Sequence, residues 1–376
     1  MSPHNHIGVL SPRLHIHLYG KRISSFHFFG GIGFILGMAL GLVLCKVSGL
    51  QPPVILLMTV IGAASFITLA LVAKRITGDE MLVYYHHEIA IVVCCAAALY
   101  LFRLPVLPYL DITLLGIGVF LAFGRIGCHS VGCCHGKPHH RGIRYGQQHV
   151  DAGFTWYYKD IPLLPVQLME SACVFVIVLT GAWLLCRHVQ PGTVLVVYTV
   201  IYGSIRFGLE FFRGDDDRPY RWGLSEAQWT TLALVALTYG LGGAGLLPVY
   251  AWHAVIFLCM LAASVILVLL YRSKVFHPLL AATHVTQIAE GLEILEIDDP
   301  ESRVSVHTTN RGLCLSSGNY DVNTRLYTLS LKNASLIKRG LVEKLARTIG
   351  SLKHHAGGFD IIDKKNGVYH ILFRLK

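Results

Sequence analysis

Residues 25 to 271 hold eight apolar runs, near 25–45, 53–73, 82–102, 109–127, 166–186, 193–212, 228–247 and 250–271, each bounded by charge or proline. A helix of about 20 such residues crosses the hydrocarbon of a bilayer, because it pairs every backbone polar group within its own segment. The composition agrees, with 53% hydrophobic and 14% charged residues, whereas soluble domains carry about 25% charged residues. That deficit excludes intrinsic disorder, a secreted disulfide scaffold and an ordinary cytosolic enzyme as descriptions of the whole chain. The 32 Lys+Arg against 22 Asp+Glu, a net charge of +10, then point to loops facing anionic lipid, and no nucleic-acid partner is expected. No short apolar core with a small-residue cleavage site precedes Phe26, so the first span is expected to persist.

The expected fold is an all-α polytopic membrane protein of about eight transmembrane helices with a small α+β C-terminal soluble domain. Its parts are an N-terminal arm (1–24), a transmembrane domain (25–273) with one long polar loop (128–165), and a soluble tail (280–376). In the tail, Leu336, Ile337, Leu341, Leu345, Ile349 and Leu352 recur at helical spacing. FDIID and VYHILFRL then flank Lys365-Asn366-Gly367, which predicts a hairpin. Basic residues collect in alternate loops (Arg13, Lys21, Arg22, Lys74, Arg75, Lys137, Arg141, Arg144), with little more than Lys46, Arg103 and Arg187 opposite. The bias predicts that both termini and the long loop are cytoplasmic.

Ionisable residues within the apolar spans are the first functional candidates. Arg125, in Gly124-Arg125-Ile126-Gly127 at the end of the fourth span, would cost about 2.5 to 3.5 kcal/mol at mid-depth. It is either an interfacial anchor or a partner for an anion, and the anion a membrane offers is phosphate. In the sixth span Tyr202, Arg206, Glu210 and Arg213 are spaced to line one face of one helix, and Arg206 can pair with Glu210. The pair is either purely structural or part of a guanidinium clamp on a phosphate. His27, His86 and His87 lie in or near apolar spans, with Glu88 and Asp111 as possible partners. His4, His6, His15 and His17 belong to the polar arm, and His354-His355 to the end of the tail helix.

These segments resemble the prolipoprotein diacylglyceryl transferase family, whose members move a diacylglyceryl group from phosphatidylglycerol to a cysteine thiol of a lipoprotein precursor. The resemblance spans roughly residues 24 to 247 and rests on GRIG and a Gly-x-x-x-Gly loop at 124 to 136, PVQLMES at 165 to 171, and YGSIRFGLEFFR at 202 to 213. It implies that Arg125 is the essential loop arginine and that Arg206 and Glu210 act with it; the residues themselves, not the resemblance, suggest nucleophile or proton-transfer work for Cys133, Cys134 or His135. Lipid contact is expected from Arg125, Gly127, Gly132, Gly136, Gln167, Glu170, Tyr202, Arg206, Arg213, His27, Tyr85 and His86. The departures are specific: Cys128 and Cys133 replace the family's Asn and Glu, Phe28-Phe29 follows His27, and Tyr85-His86-His87 stands at the family's His-Gly-Gly. The family works on the outer membrane face, opposite to the side that the basic loops predict.

The expected function is transfer of a glycerolipid group from an anionic phospholipid, at a bacterial inner membrane, to a protein or small-molecule acceptor that the residues do not name. No cofactor and no metal is assigned. Alternatives are a non-catalytic or redirected lipid-binding protein and a Cys/His metal site. Cys45, Cys94, Cys95, Cys173 and Cys259 read as packing. Cys128, Cys133 and Cys134 admit three chemistries: a thiolate carrier favoured by nearby cations, a metal site short of a second ligand pair, or a disulfide.

Overall fold

The structure, a computed structural model, describes residues 12–77, 84–215, 220–272, 278–297, 305–321, 323–331, 339–353, 355, 358–364 and 367–374. In chain order its elements begin with β1 (His15–Leu18), β2 (Lys21–Ser24), α1 (Ser25–Val47), α2 (Pro52–Thr77), α3 (Tyr84–Leu101) and α4 (Val106–Val131). They continue with β3 (Pro138–Ile143), α5 (Gln147–Asp151), α6 (Val166–Cys186), α7 (Thr193–Leu209), β4 (Tyr220–Arg221), β5 (Leu224–Ser225), α8 (Glu226–Gly243) and α9 (Ala251–Arg272). The remainder is α10 (Ala282–Ile297), β6 (His307–Thr308), β7 (Leu313–Asp321), β8 (Thr324–Leu331), α11 (Arg339–Leu352), β9 (Phe359–Asp363) and β10 (Tyr369–Arg374).

Each of the eight apolar runs forms a helix, but among the described residues five are long and apolar enough to cross a membrane: Ser25–Val47, Pro52–Ile76, Val106–Val131, Val166–Cys186 and Ala251–Tyr271. Tyr85–Leu101 and Thr193–Leu209 are shorter apolar helices. α8 carries Gln228, Thr230, Thr231 and several glycines, which dilute its apolar character.

The chain divides into two compact units, the first comprising 1–135, 165–213 and 219–268, the second 136–164, 214–218 and 269–376. In the first, α4 packs against α1, α3, α6 and α7. Gly33, Gly37 and Gly41 recur every fourth residue and are buried along one side of α1. A Cβ on Gly37 would lie 2.6 Å from the Gly116 carbonyl oxygen, and one on Gly33 would lie 2.8 Å from Phe123 Cβ. Small residues let the two backbones approach, which substitutes for a hydrophobic drive that lipid does not provide.

Asp111, buried in α4, accepts hydrogen bonds from the Gly192 and Leu195 N–H groups, each at 2.7 Å. It thus caps the start of α7 and does not partner the histidines, as the sequence had suggested. A carboxylate at orphan helix N–H groups meets both their hydrogen-bonding need and the helix dipole. Asp111→Ala is expected to destabilise the protein by about 2 kcal/mol, read as a lower unfolding midpoint in detergent, whereas Asp111→Asn should lose less.

The second unit is α+β. Its antiparallel sheet runs β6-β7-β8-β10-β9, and β9 pairs with β10 in the hairpin expected from the sequence. Of its turn residues, Lys365 and Asn366 lie outside the described residues, as do Leu336, Ile337, His4, His6 and His354. Along β10, Tyr369, Ile371 and Phe373 are buried while His370, Leu372 and Arg374 are less so, the alternation of a sheet with one covered face. α11 adds Leu341, Leu345, Ile349 and Leu352 to the same core. The segment 136–164, which the sequence assigns to the transmembrane domain as its long loop, also contributes: Tyr145, Phe154, Tyr157, Tyr158 and Leu163 are buried in this unit. Its aromatics explain that grouping, since each has more apolar surface than an exposed loop can shed.

Candidate functional site

Five charged side chains converge in the first unit at the ends of α4, α6 and α7. Arg125 Nε lies 2.9 Å from Glu170 Oε2, and Arg206 Nε lies 3.7 Å from Glu170 Oε1. Tyr202 donates its hydroxyl to Glu170 Oε1 at 2.8 Å. Arg206 Nη2 lies 2.5 Å from Glu210 Oε1, the partner its i,i+4 spacing predicts, and Arg213 Nη1 lies 3.5 Å from the same oxygen. All five are buried. Arg206 Nη1 is buried and has no hydrogen-bond partner among the described residues.

The helix carrying this face is shorter than the spacing suggested. α7 stops at Leu209, where Phe211 N–H bonds the Gly208 carbonyl at 3.2 Å and Phe212 N–H the Leu209 carbonyl at 3.0 Å. Such i to i−3 bonds tighten a helix end, so Arg213 reaches Glu210 from a turn. Glu170 is the hub that the sequence undervalued, because the pairing of α6 with α4 and α7 is not encoded in any local pattern. Its motif, Gln167-x-x-Glu170, was the available signal. Three guanidinium groups and two carboxylates leave an excess of one positive charge, before the nearby thiols are counted.

A compact turn follows α4. Gly132 adopts the left-handed conformation (φ 88°), and its N–H bonds the Cys128 carbonyl at 2.9 Å, a glycine cap of the usual kind. Cys134 also has positive φ, 56°. Together these reverse the chain so that the Cys128, Cys133 and Cys134 sulfurs lie within 4.8 Å of one another. Gln167 Nε2 donates to the Cys133 carbonyl at 2.7 Å and ties the turn to α6. Hydrogen bonds from the Cys128 and Cys133 thiols hold the Cys134 thiol well below the ordinary cysteine range, and the Arg213 and Arg125 charges act in the same direction. Cys133 is raised by the converse arrangement. The sequence had grouped Cys128 with Cys133 and Cys134 through the spacing C-x-x-x-x-C-C, and their sulfurs do lie together. His129 and His135 are buried beside this turn in the chain.

The remaining expected residues separate into two sets. Tyr85 is buried, with its ring 5.9 Å from that of Tyr202. Gly127 faces the start of α1: a Cβ there would lie 3.0 Å from Phe26 Cα. His27 follows Phe26 but is exposed. His86 is also exposed and pairs with Glu226 Oε1 at 3.0 Å. Gly136 belongs to the second unit, where its N–H bonds the Leu164 carbonyl at 3.0 Å.

The arrangement can hold an anion among buried guanidinium groups, with thiols on the adjoining turn. Among known proteins, the model of the prolipoprotein diacylglyceryl transferase family matches residues 13–242. The chain is 34% identical over 110 residues to a phosphatidylglycerol-prolipoprotein diacylglyceryl transferase of Clostridium tetani, covering 29% of this chain and 43% of that protein. A second protein of that description, from Clostridium perfringens, is 30% identical over 110 residues, 29% of this chain and 41% of its own length. One from Dehalococcoides mccartyi is 27% identical over 129 residues, 34% of this chain and 47% of its own. The chain therefore spans less than half the length of each of these relatives.

Proposed function

The chain belongs to the prolipoprotein diacylglyceryl transferase family, and on that premise we propose that it transfers a diacylglyceryl group from a phosphatidylglycerol-type phospholipid to a thiol acceptor. The relatives' names supply the donor class. The observation that carries the reading is the single excess positive charge of the buried Arg125–Glu170–Arg206–Glu210–Arg213 network, which suits the one negative charge of a phosphodiester.

In this reaction the acceptor sulfur attacks the glyceryl carbon that bears the phosphate ester oxygen. A carbon–sulfur bond forms, the carbon–oxygen bond breaks, and the electron pair departs on the phosphate of a glycerol phosphate. Arg125, Arg206 and Arg213 stabilise the developing charge. Glu170 and Glu210 orient the guanidinium groups, Tyr202 fixes Glu170, and His135 is the candidate base for the acceptor thiol. A covalent detour through Cys133 or Cys134 would leave a thioether, which lacks a good leaving group, so those cysteines are assigned no carrier step. All eight apolar helices would span a bacterial inner membrane, with the loop after α4 on the cytoplasmic side that the basic residues favour.

The test is turnover in membrane vesicles from cells producing the protein, which contain its natural acceptors, supplied with phosphatidylglycerol labelled in the headgroup. Labelled glycerol phosphate should be released, and Arg125→Lys should slow release by about 100-fold, since a point charge cannot replace the guanidinium fork. Saturable binding of the lipid with no release would replace the transferase reading with a lipid-binding one.

A further inference from the structure

We propose that Cys128, Cys133 and Cys134 form a three-thiolate site for zinc(II), with the fourth coordination position open. The sequence alone lacks the second Cys or His pair of a closed zinc site, but the turn after α4 makes a compact donor set from one stretch of seven residues. Tetrahedral zinc binds thiolates at about 2.3 Å, which sets neighbouring sulfurs roughly 3.8 Å apart. The three sulfurs already lie within 4.8 Å of one another, close to that spacing.

Three features hold the donors in place. Cys128 is fixed on the last turns of α4, and Gly132 and Cys134 carry the positive φ angles that fold the following residues back towards it. Gln167 Nε2 anchors the Cys133 carbonyl from α6, the outer-shell support that metal ligands commonly receive. Among the described residues the cluster contains no fourth His, Cys, Asp or Glu ligand atom. Three protein ligands with a vacant fourth position are the pattern of sites that exchange a ligand, in contrast to the closed four-ligand structural type. Soft sulfur donors alone select zinc or monovalent copper over magnesium, calcium or manganese.

The inference does not depend on the transferase reading, and its test uses no lipid. The full chain, purified in detergent with its thiols reduced, is titrated with cobalt(II) as a spectroscopic stand-in and then with zinc(II). One cobalt per chain should bind, with intense sulfur-to-metal charge-transfer absorption that zinc abolishes. Cys128→Ser, Cys133→Ser and Cys134→Ser should each weaken binding at least tenfold, whereas Cys314→Ser, in the second unit, should not. Zinc should also protect three thiols of the unaltered protein from maleimide, a readout independent of whether the variants fold. Absence of charge-transfer bands together with unprotected thiols would overturn the proposal. So would a loop disulfide that, once reduced, still takes up no cobalt, or copper(I) uptake without any zinc binding.

Discussion

Glu170→Gln should lower stability by about 3–5 kcal/mol, because it removes the carboxylate that faces buried Arg125 and leaves Arg206 with Glu210 alone. Arg125 Nε at 2.9 Å and Arg206 Nε at 3.7 Å both face this carboxylate, whose side chain is 2% exposed. Glutamine keeps the shape and can still accept from Tyr202, so the loss isolates the charge. Glu210→Gln should cost less, since Arg206 retains Glu170 as a partner. A double replacement, Arg125→Met with Glu170→Leu, should recover much of the stability while abolishing turnover, because apolar residues of similar volume often replace a buried ion pair without penalty. Unfolding in detergent followed by circular dichroism checks both. An unchanged midpoint for Glu170→Gln would mean that the charge of this carboxylate does not hold the fold together.

Gly37→Leu should separate α1 from α4 and prevent stable folding. The new Cβ would fall 2.6 Å from the Gly116 carbonyl oxygen and 3.3 Å from its carbon. These are backbone atoms, which cannot yield by changing rotamer, so the cost is roughly 3 kcal/mol or more. Gly30→Ala provides the contrast: it lies on the same helix with nothing within 4 Å of a new Cβ. There alanine's better helix propensity should leave stability unchanged or raise it by about 0.5–1 kcal/mol. Yield of monodisperse protein and its unfolding midpoint measure the difference. Equal behaviour of the two variants would mean that the Gly37–Gly116 approach does not hold the helices together.

The sequence by itself determined the membrane class, the approximate positions of the helices that its apolar runs form, the Arg206–Glu210 pair and the β9–β10 hairpin. All of these are local: apolar length, a four-residue spacing and a short turn each operate within a few tens of residues. It also carried the family resemblance, because YGSIRFGLEFFR and GRIG are contiguous motifs. Tertiary structure alone decided that Glu170 sits between Arg125 and Arg206, since those residues come from three helices. It likewise decided that Asp111 caps α7, 81 residues further along the chain. It also decided that His86 pairs with Glu226. The three thiols form an intermediate case. Their proximity in sequence was legible, but whether their sulfurs converge depended on Gly132 and Cys134 adopting left-handed backbone conformations, which a cysteine adopts only when surrounding contacts over-determine it.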